Sequence, residues 1–129
     1  MSNDSIYSQL SAIAKKFQIF ECVACAIAMR QFLVAQNIAG KQISLYTGST
    51  EDPFCNIYHE NLQENISING RHEAIAVEID GEEIIFDNIH PEGIRTYAHS
   101  TFSWRSWRLG GTINQDFWQF LRKSWEFLE

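Results

Sequence analysis

The chain has 129 residues, 45% of them apolar, which is enough to bury a continuous core, and one domain spanning 1–129 is the expectation. Its 16 acidic and 10 basic side chains give a net charge of −6 with no block of like charge, so the footprint of a nucleic-acid-binding protein is missing. No segment is long and apolar enough to span a bilayer, Met1 to Phe17 lack the features of a secretory signal, and 3 cysteines argue against a disulfide framework. A cytoplasmic protein with free thiols is expected.

Ser2, Asn3 and Asp4 can cap a first helix whose apolar stripe is Ile6, Leu10, Ile13 and Phe17. After a break at Gln18 to Glu21, the run from Cys22 to Gln36 contains no Gly or Pro and places Cys25, Met29, Phe32 and Leu33 on one side. It reads as a second helix ending near Asn37 and Gly40. Gln42 to Tyr46 alternates as a strand, with Ile43 and Leu45 inward, and 54–69 gives no clear pattern. His72 to Ile79 and Glu82 to Asp87 flank Asp80-Gly81, the signature of a type I′ hairpin. Ile89 to Thr101 reads as loop with at most a short strand. Asn114 or Asp116 can start a last helix carrying Phe117, Leu121, Trp125 and Leu128. The order of elements predicts an α+β fold on an antiparallel sheet.

A two-residue hairpin loop dictates the register: Ile79 opposite Glu82, Val77 opposite Ile84, Ala76 opposite Ile85. Continued, it sets Ala74 against Asp87 and His72 against Ile89. Alternation puts His72, Ala74, Ala76, Ile85 and Asp87 on one face, with Ile75, Val77, Ile84, Phe86 and Asn88 on the other. Asp87 then lies diagonal to His72, within reach of its ring. A three-residue loop would flip the parity and offer Asn88 instead; the turn chemistry favours Asp87. The two alanines beside His72 leave room for a helix, and the one beginning at Cys22 is the expected occupant.

A thiol at a helix N-terminus beside an imidazolium has a lowered pKa and becomes a nucleophile. Cys22 is placed for both effects. His72 would take its proton and deliver it to a leaving group, Asp87 would orient the ring, and the Cys22 N–H with the Gln18 side chain would form an oxyanion hole. The same residues admit blander readings. A cysteine in an apolar helix is usually a small buried hydrophobe, His72 reads equally as a loop histidine, and Asp87 as a turn residue ahead of Pro91. Cys22-Val23-Ala24-Cys25 has the spacing of a dithiol redox motif, although such motifs follow a strand and a helix precedes this one. The two cysteines with His59, His72 or His90 would suit zinc, but a second closely spaced ligand pair is missing. In a non-catalytic binding module the cysteines would be inert. The hydrolase reading needs no cofactor and no metal.

The segments Phe20-Glu21-Cys22-Val23-Ala24-Cys25-Ala26, Gly40-Lys41-Gln42-Ile43, Asn69-Gly70-Arg71-His72-Glu73-Ala74 and Phe86-Asp87-Asn88-Ile89-His90-Pro91-Glu92-Gly93-Ile94 together resemble the papain fold toxin 2 domain family of bacterial polymorphic toxin systems. The resemblance covers Phe20 to Ile94. It implies a papain-like cysteine protease fold, with N-terminal helices packed on the antiparallel sheet and a C-terminal helix. It also implies a Cys-His-Asp hydrolase, a peptidase or glutamine deamidase acting on protein or peptide, as a toxin or a toxin-releasing peptidase. An immunity protein and delivery into a target cell belong to that picture; the start at Met1, with a helix of its own, reads instead as a free-standing intracellular enzyme. Both cysteines lie in the resembling segment. In secreted papain-like proteases the cysteine three residues before the nucleophile is a disulfide partner, which favours Cys25, but Cys25 would face the core with Met29 and Phe32, and Cys22 is preferred.

Overall fold

A computed structural model describes residues 1–47, 51, 55–59, 62–95 and 126–127, and the backbone of 104–106, 111–112 and 122–125. Helix α1 (Asn3–Ala14) begins at Ser2, whose hydroxyl accepts the Ser5 N–H at 3.1 Å. Its buried stripe is Ile6, Leu10 and Ala14. Helix α2 (Cys22–Ala35) buries Cys22, Cys25, Ala26, Met29 and Leu33. It stops where Asn37 turns left-handed (φ 58°), so that Asn37 N–H reaches Val34 O and Ile38 N–H reaches Leu33 O, the bond pair that closes a Schellman motif.

Two antiparallel sheets follow. The first runs β5 (Glu82–Phe86), β4 (Arg71–Ile79), β1 (Gly40–Tyr46), β8 (Arg122–Phe127). The second runs β3 (Glu64–Ser67), β2 (Ile57–His59), β6 (Trp104–Ser106), β7 (Gly111–Thr112). The segment that the sequence left undefined thus supplies β2 and β3. The β4–β5 hairpin has the expected register, Ile79 opposite Glu82, Val77 opposite Ile84 and Ala76 opposite Ile85. Asp80 and Gly81 both have positive φ, 54° and 80°, as a type I′ turn requires. Pairing ends at Ile75 opposite Phe86, so Ala74 and His72 have no partner on β5.

The core has two parts, one on each face of the first sheet. Helices α1 and α2 pack Leu10, Met29 and Leu33 against Ile75, Val77, Ile79 and Phe86. Each such fully buried side chain contributes roughly 1.5–3 kcal/mol. On the other face Ile43, Leu45, Ala74, Ala76 and Ile85 meet Ile57 and Ile66 of the second sheet. The expectation that α2 lies on the alanine face is therefore wrong. The alanines make room for the isoleucines of β2 and β3, while the small Cys25 and Ala26 of α2 accept the bulkier row on the opposite face.

A second correction concerns the C-terminus. Arg122–Phe127 is a strand antiparallel to β1, Gly40 opposite Phe127 and Leu45 opposite Arg122, not the end of a helix. Glu126 is exposed and Phe127 buried, the alternation of a strand, and Phe127 joins the helix-side core. The predicted start at Asn114 or Asp116, with Phe117, Leu121 and Leu128, lies outside the described residues. Ile94 bridges back to Ile85, which accounts for the expected short strand in that loop; 96–101 lie outside the description. Among the described residues no helix is long and apolar enough to cross a membrane.

Candidate functional site

The site arises where β5 stops. In a two-residue hairpin the closing residues exchange both backbone bonds, so the odd-numbered residues of β4 aim their N–H groups at β5. Beyond Ile75 that partner is gone, and the Glu73 N–H faces an unpaired edge. The N-terminus of α2 fills the gap and sets the Cys22 sulfur against the Glu73 N–H and the His72 ring. The helix thus lies on one face of the sheet yet reaches a histidine of the other face, around the end of a strand.

His72 Nε2 is 2.8 Å from Asp87 Oδ2, and both side chains are shut off from solvent. An ionised carboxylate can only accept, so Nε2 carries the proton, and Nδ1 is left as the nitrogen for the thiol. Asp87 is itself held from behind: its Oδ1 accepts the Ile89 N–H at 2.8 Å, the His90 N–H at 2.6 Å and His90 Nδ1 at 3.2 Å. This tight turn requires the chain to come back beside β5, and Gly93 (φ 79°) allows it. A Cβ there would lie 2.7 Å from Ile84 Cγ2 and 3.0 Å from the Phe86 ring.

The protonation states follow from these contacts. Burial raises the Cys22 thiol, but the hydrogen bond and charge of His72, with the Glu73 N–H, outweigh it and bring the thiol below its ordinary 9.0. Burial works against charge on His72 too, yet Asp87, and secondarily Cys22, lift its pKa to about 9. Asp87 is desolvated, and its bonds to His72 and His90 hold it well below the usual carboxylate range. These shifts move the three groups together towards thiolate, imidazolium and carboxylate. The Glu21 carboxylate accepts the Gln18 N–H at 2.6 Å instead of capping α2, so the first-turn amides at Cys22 keep their pull on negative charge.

Cys22, His72 and Asp87 are therefore brought together. Cys25 is not: it has no exposed surface, whereas Cys22 keeps 7%, and burial followed by the repulsion of Asp87 and Cys22 pushes its thiol up to about 12. Asn88 is turned away from His72. Its Nδ2 donates to Gln18 O at 2.7 Å and ties the loop before Cys22 to the end of the hairpin. Gln18 also lines a cleft beside this loop.

Sequence reasoning missed the positioning duty of Asn88, and it considered His90 only as a metal ligand. Both lie within three residues of Asp87, and the polar donors Asn88 and His90 in Asp87-Asn88-Ile89-His90 are the signal that was there to read. The His90 ring lies 5.5 Å from that of His59, whose Nδ1 accepts the Leu62 N–H at 3.2 Å. All the cysteines are free, and among the described residues no three of His, Cys, Asp or Glu converge as a metal site.

Helices on one face of an antiparallel sheet, a cysteine at a helix start, a histidine at a strand start and an acid at the end of the next strand define an α+β architecture compatible with the papain-like fold. The family model for papain fold toxin 2 matches residues 5–100, and the chain belongs to that family. Searches of curated proteins and of solved structures returned no match.

Proposed function

We propose that this papain-like toxin domain is a cysteine hydrolase of amide bonds in proteins or peptides, with Cys22 as nucleophile, His72 as acid and base, and Asp87 as the residue that orients the ring. The Cys22 thiolate attacks the carbonyl carbon; the His72 imidazolium protonates the departing nitrogen as the C–N bond breaks, leaving a thioester. Water then adds to the thioester with its proton going to His72, and the acid is released as the thiolate reforms. A main-chain amide gives peptide cleavage; a glutamine side chain gives ammonia and glutamate. The Cys22 N–H, with the Gln18 side chain, stabilises the oxyanion.

The observation that carries this reading is the buried 2.8 Å His72–Asp87 contact next to a thiol held below its ordinary range. A desolvated carboxylate is retained only at a cost, and while Asp87 Oδ1 is taken up by the turn at Ile89 and His90, Oδ2 is given to His72. Under this reading residues 1–129 act as one unit on a protein substrate, as a toxin or as the peptidase that frees one, and an immunity protein is a fitting inhibitor. The test is incubation of wild type and Cys22→Ala with a denatured protein extract, scored by mass spectrometry. New N-termini identify a peptidase and glutamine-to-glutamate conversions a deamidase; identical extracts from the two proteins would contradict the proposal.

A further inference from the structure

Phe20 is anomalous in two ways. It is 53% exposed, and its φ is 71°, a conformation that residues with a Cβ avoid. The cause is a tight turn in which Glu21 N–H reaches Gln18 O at 3.1 Å; Ile19 keeps a negative φ, so Phe20 occupies the corner of a type II turn, a place for Gly or Asn. The loop cannot relax easily, because Gln18 O also accepts Asn88 Nδ2 and Gln18 N–H is held by Glu21. A strained backbone thus spends its strain on pointing a phenyl ring at solvent two residues before Cys22.

Ile68, on the loop after β3, is likewise 57% exposed and lines the same cleft as Phe20. Between the two loops lies an open cleft of about 520 Å³ lined by Gln18, Ile19, Phe20, Glu64, Asn65 and Ile68. That volume is in the range of ligand sites and takes a side chain of the size of Leu or Phe with room for the main chain. One side of this cleft is the turn Gln18–Phe20 that leads directly into Cys22, and the apolar Ile19, Phe20 and Ile68 with the acidic Glu64 in its lining suit a large apolar side chain and disfavour an acidic one.

We infer that Phe20 and Ile68 form the specificity subsite of the hydrolase, gripping a large apolar side chain of the substrate polypeptide close to the amide that Cys22 attacks. The inference rests on the nucleophile reading above, and its test separates the two. Alkylation rates of Cys22 are measured with iodoacetamide and with N-phenethyl-iodoacetamide, each relative to glutathione. The same bond forms in both reactions, sulfur to methylene with loss of iodide, so only the apolar tail differs.

The wild type is expected to favour the phenethyl reagent by about tenfold, with saturation kinetics. Phe20→Gly and, separately, Ile68→Ser should each return that ratio to about unity. Phe20→Gly should also raise the melting temperature, because glycine takes the corner without strain. A ratio near that of glutathione in the wild type, or one that survives both substitutions, overturns the subsite while leaving the nucleophile intact. Loss of melting temperature in Phe20→Gly would make Phe20 a structural clamp and overturn it as well. If iodoacetamide itself attacks Cys22 no faster than glutathione, the nucleophile reading falls and the subsite with it.

Discussion

Strand β4 behaves as two different structures joined end to end. From Ile75 to Ile79 it is paired with β5, and its alternate residues Ile75, Val77 and Ile79 are sealed under the helices. From Arg71 to Ala74 it is paired only with β1, and the edge that β5 leaves open receives the start of α2. The difference shows how a site is made from an interruption. A hydrogen-bonded edge satisfied by another strand can do no chemistry, whereas the Glu73 N–H, freed by the end of β5, can hold a thiolate.

The two halves should respond oppositely to mutation. In the open half, Cys22→Ala removes hydrolysis altogether while the melting temperature moves by only a few degrees, since a small buried side chain is replaced by a smaller one. In the paired half, Phe86→Ala should cost about 3–5 kcal/mol in urea unfolding, because a fully buried ring is lost from the helix-side core. A Phe86→Ala protein as stable as wild type would erase the contrast.

A finer break targets the join between halves. Asn88→Ala removes the 2.7 Å bond to Gln18 O, and should cost about 1 kcal/mol of stability and lower kcat/KM by roughly tenfold through a loosened Cys22 loop. An effect on stability alone would reduce Asn88 to packing. The smallest effect is one of pH. His72 has a folded pKa of about 9 against an ordinary 6.5, so its contribution to stability is present below 6.5 and is lost as pH rises through 9. The Cys22 thiol, lowered from 9.0, contributes stability that grows as pH rises towards 9.0, which opposes the loss from His72 in the wild type. In Cys22→Ala only the histidine contribution remains, still raised by Asp87, so the melting temperature should fall more steeply between pH 6.5 and 9 than it does in the wild type. Parallel profiles would contradict the pairing.

The sequence carried the local part of this account. Asp80-Gly81 demands positive φ at two successive residues, which sets the loop length, the register and thereby the meeting of His72 with Asp87 rather than Asn88. What it did not carry is non-local. Which face α2 covers depends on the second sheet, whose strands β2 and β3 are too short to announce themselves and whose Ile57 and Ile66 claim the alanine face. Arg122 to Phe127 lies in a segment with helical spacing of its aromatics, and the open edge of β1 recruits it as a strand regardless. The turn at Asp87 hid the duties of Asn88 and His90, because a loop residue shows its partner only once the chain has returned.

The central claim is that His72 activates Cys22, and the rate of iodoacetamide alkylation measured across pH tests it most directly, with the modified residue mapped by mass spectrometry. The wild type should react at Cys22 with a midpoint below the ordinary thiol value of 9.0, Cys25→Ser should leave that profile unchanged, and His72→Ala should move the midpoint upward. Modification of Cys25 in place of Cys22, or a Cys22 profile that His72→Ala leaves where it was, would contradict it.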